Sequence, residues 1–168
     1  MRRAPILVSA ALVAAATASA IAVTTGSAQA PGERTLTFVE REVSGVDVFQ
    51  DVPPLVKGKD VRPTNGDGIL FKNTVLDATG KTKLGIFEAH CTFLHATRKV
   101  EGSRVLCDGF YTLADGTITA QVATNLSDQV TFAVTGGTGA YEGASGSGSN
   151  ISRGRTSKLS DTVIHLLP

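Results

Sequence analysis

Val134-Thr135-Gly136-Gly137-Thr138-Gly139-Ala140-Tyr141-Glu142-Gly143-Ala144 is the stretch on which the fold turns. Six of its residues are glycines or threonine beside glycine, so a phosphate-binding loop has to be weighed first. The dinucleotide pattern needs a glycine where this chain has Glu142, and no Gly-Lys-Ser/Thr follows. The next residues, Ala144-Ser145-Gly146-Ser147-Gly148-Ser149, carry no apolar stripe from which a helix could be built. The stretch therefore reads as a tight β-turn with glycines at positive φ, leading into a glycine-rich strand.

Outward from that turn, apolar residues alternate with period two, and no segment keeps a helical period for three turns. Residues 129–135 place Val130, Phe132 and Val134 on one face, and 117–123 do the same with Ile118, Ala120 and Val122. In 104–113 the shared face holds Val105, Cys107, Gly109 and Tyr111; in 84–95 it holds Phe87, Ala89, Cys91 and Phe93. Residues 68–77 align Ile69, Phe71, Asn73 and Val75, and 34–42 align Leu36, Phe38 and Glu40. Residues 161–167 form a closing strand. Turn residues separate these runs, as at Asp77-Ala78-Thr79-Gly80, Glu101-Gly102-Ser103 and Asp115-Gly116. The spacing predicts an all-β sandwich or an up-and-down barrel. Residues 43–65, with Pro53, Pro54 and Pro63, predict a long loop or partial strand.

The chain has 168 residues, enough for one domain. Met1-Arg2-Arg3, the uncharged Ala-rich run 6–23 and the small residues 26–30 predict a signal peptide over 1–30, cleaved near 28–30. Ala28-x-Ala30 fits the small-x-small rule. Pro31 disfavours the cut after Ala30, so cleavage after Ala28 is equally open. A membrane anchor is the rival reading, against which the weak hydrophobicity of the run counts. A single domain over 31–168, secreted and without a stable membrane anchor, is the expectation. That domain carries 14 basic and 15 acidic residues, and a near-neutral chain without a basic patch is a poor nucleic-acid binder. His90 and His95 fall on opposite sides of one strand, so they make no paired metal site. No Gly-x-Ser-x-Gly elbow is present.

The 134–144 stretch resembles the Gly-Gly-Thr/Ala-Gly-x-aromatic-x-Gly signature shared by allene oxide cyclases and dirigent proteins of plants. Gly66-Asp67, Phe71-Lys72-Asn73, Gly85 and Cys91 follow in an order and spacing similar to allene oxide cyclases, with no gap from Asn73 to Cys91. The Asp115-Gly116-Thr117-Ile118 turn is similar too. The resemblance spans 34–150 and is strongest over 66–144. It implies an eight-stranded antiparallel β-barrel with an apolar cavity, often trimeric in plants, so homo-oligomers are among the assemblies it allows. It also implies small-molecule chemistry with no metal and no organic cofactor. A secreted bacterial branch of the family would fit the targeting segment.

Carried over residue by residue, the resemblance makes Glu40 the first-strand glutamate that stabilises the cation formed as an epoxide opens. Glu42 is the alternative. The family has an asparagine at that second position, and this departure weakens transfer of the reaction. Asn73 and Cys91 match the residues that hold a water near the epoxide oxygen, and Phe38, Phe71, Phe87 and Phe93 are the apolar wall. From the residues alone, Glu40 is either a desolvated carboxylate inside or an exposed strand end. Asn73 is either bound to backbone or holds water or ligand. Cys91 and Cys107 lie on apolar faces of successive strands. In a secreted chain such a pair points to a disulfide, which would remove the Cys91 thiol from chemistry. Tyr111 and Tyr141 read as packing residues. Three functions remain: a cofactor-free cyclase or isomerase acting on a hydrophobic small molecule, a dirigent-like or carrier protein with no chemistry of its own, and a structural barrel whose interior is filled by side chains.

Overall fold

The computed structural model describes residues 33–44, 48–52, 62–98, 100, 102–154 and 156–168. The signal peptide expected over 1–30 lies outside the described residues, as do Pro53 and Pro54. The described chain is all strand and turn. In order the strands are β1 (Arg34–Glu42), β2 (Val48–Gln50), β3 (Gly68–Leu76), β4 (Lys83–His95), β5 (Arg104–Leu113), β6 (Gly116–Asn125), β7 (Gln129–Gly139), β8 (Ser145–Ser152) and β9 (Leu159–Leu167).

Every pairing is antiparallel, and the order β1-β9-β8-β7-β6-β5-β4-β3 is closed by β1 pairing with β3. The result is an eight-stranded barrel. The short β2 shares an edge of β3 with β1: Val39 to Glu42 pair with Leu76 to Asn73, while Val48 to Gln50 pair with Leu70 to Gly68. The expected loop of 43–65 thus contains one short strand. Among the described residues no helix is long and apolar enough to cross a membrane.

Alternation sorts the side chains as the sequence predicts. In β5, Val105, Cys107, Gly109 and Tyr111 are inside or buried, while Arg104, Asp108 and Phe110 face out. β1 departs from alternation near its end: Phe38, Val39 and Glu40 are all buried. Val39 faces outward, but the turn after β3 lies over it: a Cβ on Gly80 would sit 3.7 Å from Val39 Cγ1, and the Arg41 guanidinium donates to the Gly80 carbonyl.

The expected turn is present, with positive-φ glycines and the glycine-rich β8 after it, but it begins later than the glycine stretch does. β7 runs through Gly136 and Gly137, which have negative φ, and only Gly139 (62°) and Gly143 (74°) need the left-handed region. Gly137 is required for a different reason. A Cβ there would lie 2.4 Å from the Tyr141 carbonyl oxygen, because the turn folds Tyr141 back beneath the strand. Opposite, Thr119 and Ala120 pair with Gly136 and Val134, so Thr135 forms a bulge that bends β7.

Two apolar clusters pack inside the barrel. The larger contains Phe38, Ile118, Val134, Tyr141, Ile164 and Leu166, with Tyr111 and Phe132. The smaller is built on Cys91, Phe93, Val105 and Cys107, with Phe49, Ile69 and Leu126 against it. Residues of both clusters border a cavity inside the barrel.

Candidate functional site

Glu40 occupies an inward position of β1, between Ser160 of β9 and Val75 of β3. It is 1% exposed. A carboxylate removed from water to this extent must be compensated by hydrogen bonds or a cation. Among the described residues no cation pairs with it. Three neutral donors supply the compensation instead. The Tyr111 hydroxyl donates to Oε1 at 3.0 Å, the Thr162 hydroxyl to Oε1 at 2.6 Å, and Asn73 Nδ2 to Oε2 at 2.8 Å. A carboxylate offers about four acceptor positions, so one remains, on Oε2.

These donors come from three other strands. Tyr111 sits on β5 between Phe87 and Ile118, and its ring packs on Phe87 with centroids 4.4 Å apart. Burial, followed by the Glu40 charge and the hydrogen bond given to it, raises the Tyr111 pKa well above that of an ordinary phenol. Tyr111 is therefore a donor at physiological pH and not a base. Thr162 of β9 is fully buried, and its Oγ1 accepts from Asn150 Nδ2 at 2.8 Å. The same amide nitrogen also donates to Ser160 Oγ at 2.9 Å.

The cavity has a volume of about 130 Å³, enough for one aromatic ring. Glu40, Asn73, Tyr111, Gln121, Thr124 and Asn150 supply its polar wall; Phe71, Phe87, Val122 and Phe132 supply apolar wall. Two glycines make room for those rings. A Cβ on Gly109 would lie 2.7 Å from the Phe87 ring, and one on Gly148 would lie 2.3 Å from that of Phe132. An interior fully packed around Phe38, Phe71 and Phe93, as a purely structural barrel requires, is not what the chain builds.

The site residues expected from sequence fall in several places. Glu40, Asn73, Phe71 and Phe87 come together on the cavity wall. Glu42, the last residue of β1, is exposed. Phe38 lies in the larger apolar cluster, stacked on Tyr111, and Phe93 packs edge-on against Phe49 in the smaller one; neither lines the cavity. Cys91 is bonded to Cys107, its register partner across β4 and β5. It has no thiol to hold a water, and the half of the disulfide on the cavity wall is Cys107. Asn73 is neither bound to backbone nor left for a ligand alone, because it braces Glu40.

Tyr111 corrects the reading as a packing residue: it packs and also donates to Glu40. A phenol on an inward face needs an acceptor, and that rule was the available signal. Thr162, Asn150 and Phe132 had no local signal beyond strand phase.

A family profile described as allene oxide cyclase barrel like domain matches residues 52–161, well over half of the chain. Glu40 precedes the matched residues. No curated protein matches the chain. Among solved structures, a pyocyanin demethylase superposes with a TM-score of 0.61 at 22% identity, covering 79% of this chain and 99% of that one. A pterocarpan synthase dirigent protein superposes at 0.60 and 16% identity, covering 80% and 90%. An exo-specific intermolecular Diels-Alderase superposes at 0.59 and 14% identity, covering 81% and 98%. At these identities the likenesses establish a shared fold. The sequence match and the closed eight-stranded barrel place the chain in the allene oxide cyclase barrel-like family.

Proposed function

We propose that the barrel binds a hydrophobic small molecule in its cavity and steers a cofactor-free cyclisation or isomerisation in which positive charge develops beside Glu40. One observation carries this reading: a fully buried carboxylate, braced by three neutral donors and without a paired cation among the described residues, lines an otherwise largely apolar cavity. Such a carboxylate is preorganised. Its donors are already in place, so a transition state with developing positive charge gains attraction without reorganisation. The rings of Phe71, Phe87 and Phe132 present faces or edges that restrict the substrate to few conformers, and that restriction lowers the entropic part of the barrier.

Among the described residues the only titratable side chains on the wall are Glu40 and Tyr111, and Tyr111 stays a phenol. Side-chain proton shuttling near neutral pH therefore has few participants, which favours orientation and electrostatics. The same observation supports a second reading, a dirigent-like or carrier role, in which the cavity orients or shelters a molecule without charge chemistry. The structural neighbours include proteins named as a Diels-Alderase, a pterocarpan synthase dirigent protein and a demethylase, names that fit a small-molecule role for the fold.

The test is to add a short-lived allene oxide of an unsaturated fatty acid to the purified protein and to its Glu40→Gln variant. The enantiomeric excess of the cyclopentenone is then measured. The expected outcome is an excess of one enantiomer that disappears in Glu40→Gln. Racemic product at the spontaneous rate in both proteins would overturn the cyclase reading for this substrate class. An excess retained in Glu40→Gln would move the role to orientation alone.

A further inference from the structure

We infer that Asn150 is a specificity-determining residue of the cavity, whose carbonyl oxygen selects ligands that carry a hydroxyl or N–H donor. The inference rests on reading the cavity as the ligand site. It follows from the direction of a chain of hydrogen bonds. An ionised carboxylate only accepts. The Thr162 hydroxyl, 2.6 Å from Glu40 Oε1, must therefore spend its single proton on Glu40. Toward Asn150, 2.8 Å away, that hydroxyl can only accept, so the amide presents its NH₂ there.

The second amide hydrogen goes to Ser160 Oγ. Both donors of Asn150 are used, and its Oδ1 has no partner among the described residues. Asn150 stands opposite Val130, and both border the cavity.

A ligand that enters strips water from Oδ1. Stripping costs free energy unless the ligand brings a donor to replace it. Glu40 Oε2 already holds the Asn73 donor, so its open acceptor position makes the same demand in weaker form. A ligand carbonyl or carboxylate at this place would meet a like dipole. Asn150 Oδ1 has no donor at all among the described residues, so the larger share of the discrimination falls on it.

Indole and indene test this. The two bicycles have nearly the same shape, and only indole has an N–H. Apolar burial alone favours indene, so a preference for indole has the sign opposite to hydrophobicity. Titration of the purified protein, followed by calorimetry or amide chemical shifts, is expected to show indole binding about tenfold tighter than indene. Benzofuran, whose ring oxygen replaces the N–H, is expected to bind like indene. In Asn150→Leu the preference is expected to fall to about twofold or less, with indene binding kept.

Equal binding of indole and indene, or a preference for indene, would overturn the inference and leave the cavity reading standing. A preference that survives in a folded Asn150→Leu would overturn the assignment to Asn150. Binding of none of the three would overturn both the inference and the cavity reading. Should Asn150→Leu fail to fold, the three-ligand order in the unsubstituted protein decides alone.

Discussion

Glu40 and Asp67 are both buried carboxylates, 1% and 0% exposed, but their donors differ in kind. Asp67 accepts mainly from backbone, Val52 N at 2.9 Å and Thr64 N at 2.6 Å, with the Thr64 side chain as a further donor. Its own carbonyl accepts from Phe93 N, and Gly66 N donates back to the Phe93 carbonyl. Asp67 is thus a clip that ties the loop after β2 to the end of β4. Desolvation works to raise its pKa, yet the amides of Val52 and Thr64 outweigh it and hold the carboxyl below its ordinary value. Glu40 accepts only from side chains, borders a cavity and keeps an acceptor position open. Burial of a carboxylate therefore does not mark a site by itself. Backbone donors leave a carboxylate committed to the fold, whereas side-chain donors beside empty volume leave it able to act on a ligand.

The contrast predicts opposite costs of substitution. Asp67→Ala leaves two part-buried amides without their acceptor and is expected to lower unfolding free energy by about 1.5–3 kcal/mol. Glu40→Gln is expected to cost about 1 kcal/mol or less, because the Asn73 amide can turn over so that its oxygen accepts from the new NH₂. Chemical denaturation of both variants checks this; equal losses would break the comparison.

Tyr111→Phe sharpens it from the donor side. The ring packing on Phe87 survives and one charge-assisted hydrogen bond is lost. A loss of about 1.5 kcal/mol is expected in denaturation, since Thr162 still donates to Oε1. No loss would mean that the phenol only packs.

The smallest expected effect is in pH. Asp67 has a folded pKa below its ordinary 3.8. Its stabilisation is complete above the unfolded value and is lost as pH falls from there through the folded value. Asp77 and Asp161 are also lowered, by local hydrogen bonds and by Arg153 respectively, and share that window. The difference between the unsubstituted protein and Asp67→Asn therefore isolates the clip. Stability measured from pH 7 downward is expected to fall less in Asp67→Asn below about pH 4. Parallel curves would show that the clip holds no charge.

Much of the architecture was legible along the chain. Period-two alternation put Phe87, Tyr111, Ile118 and Phe132 on inward faces, and the structure has them there, because a half-buried strand leaves no other arrangement. The disulfide was legible because Cys91 and Cys107 share the inward phase of neighbouring strands, and register then sets them opposite each other. The glycine stretch was legible as structure and misread in detail. Gly136 and Gly137 extend a strand; what Gly137 avoids is a clash with Tyr141, and such a clash has no signature in a local pattern.

Local chemistry alone thus settled that the chain is all-β, which faces turn inward, and that Glu40 is a carboxylate on an apolar face. Its meaning came from barrel closure. Tyr111 is 71 residues away from Glu40 and Thr162 is 122 residues away. They reach it only because β9 and β3 flank β1 and because β5 faces it across the barrel. Strand phase is a short-range property that sequence records directly. A hydrogen-bond partner across a closed barrel depends on strand order and register, which are decided only when all eight strands pair at once.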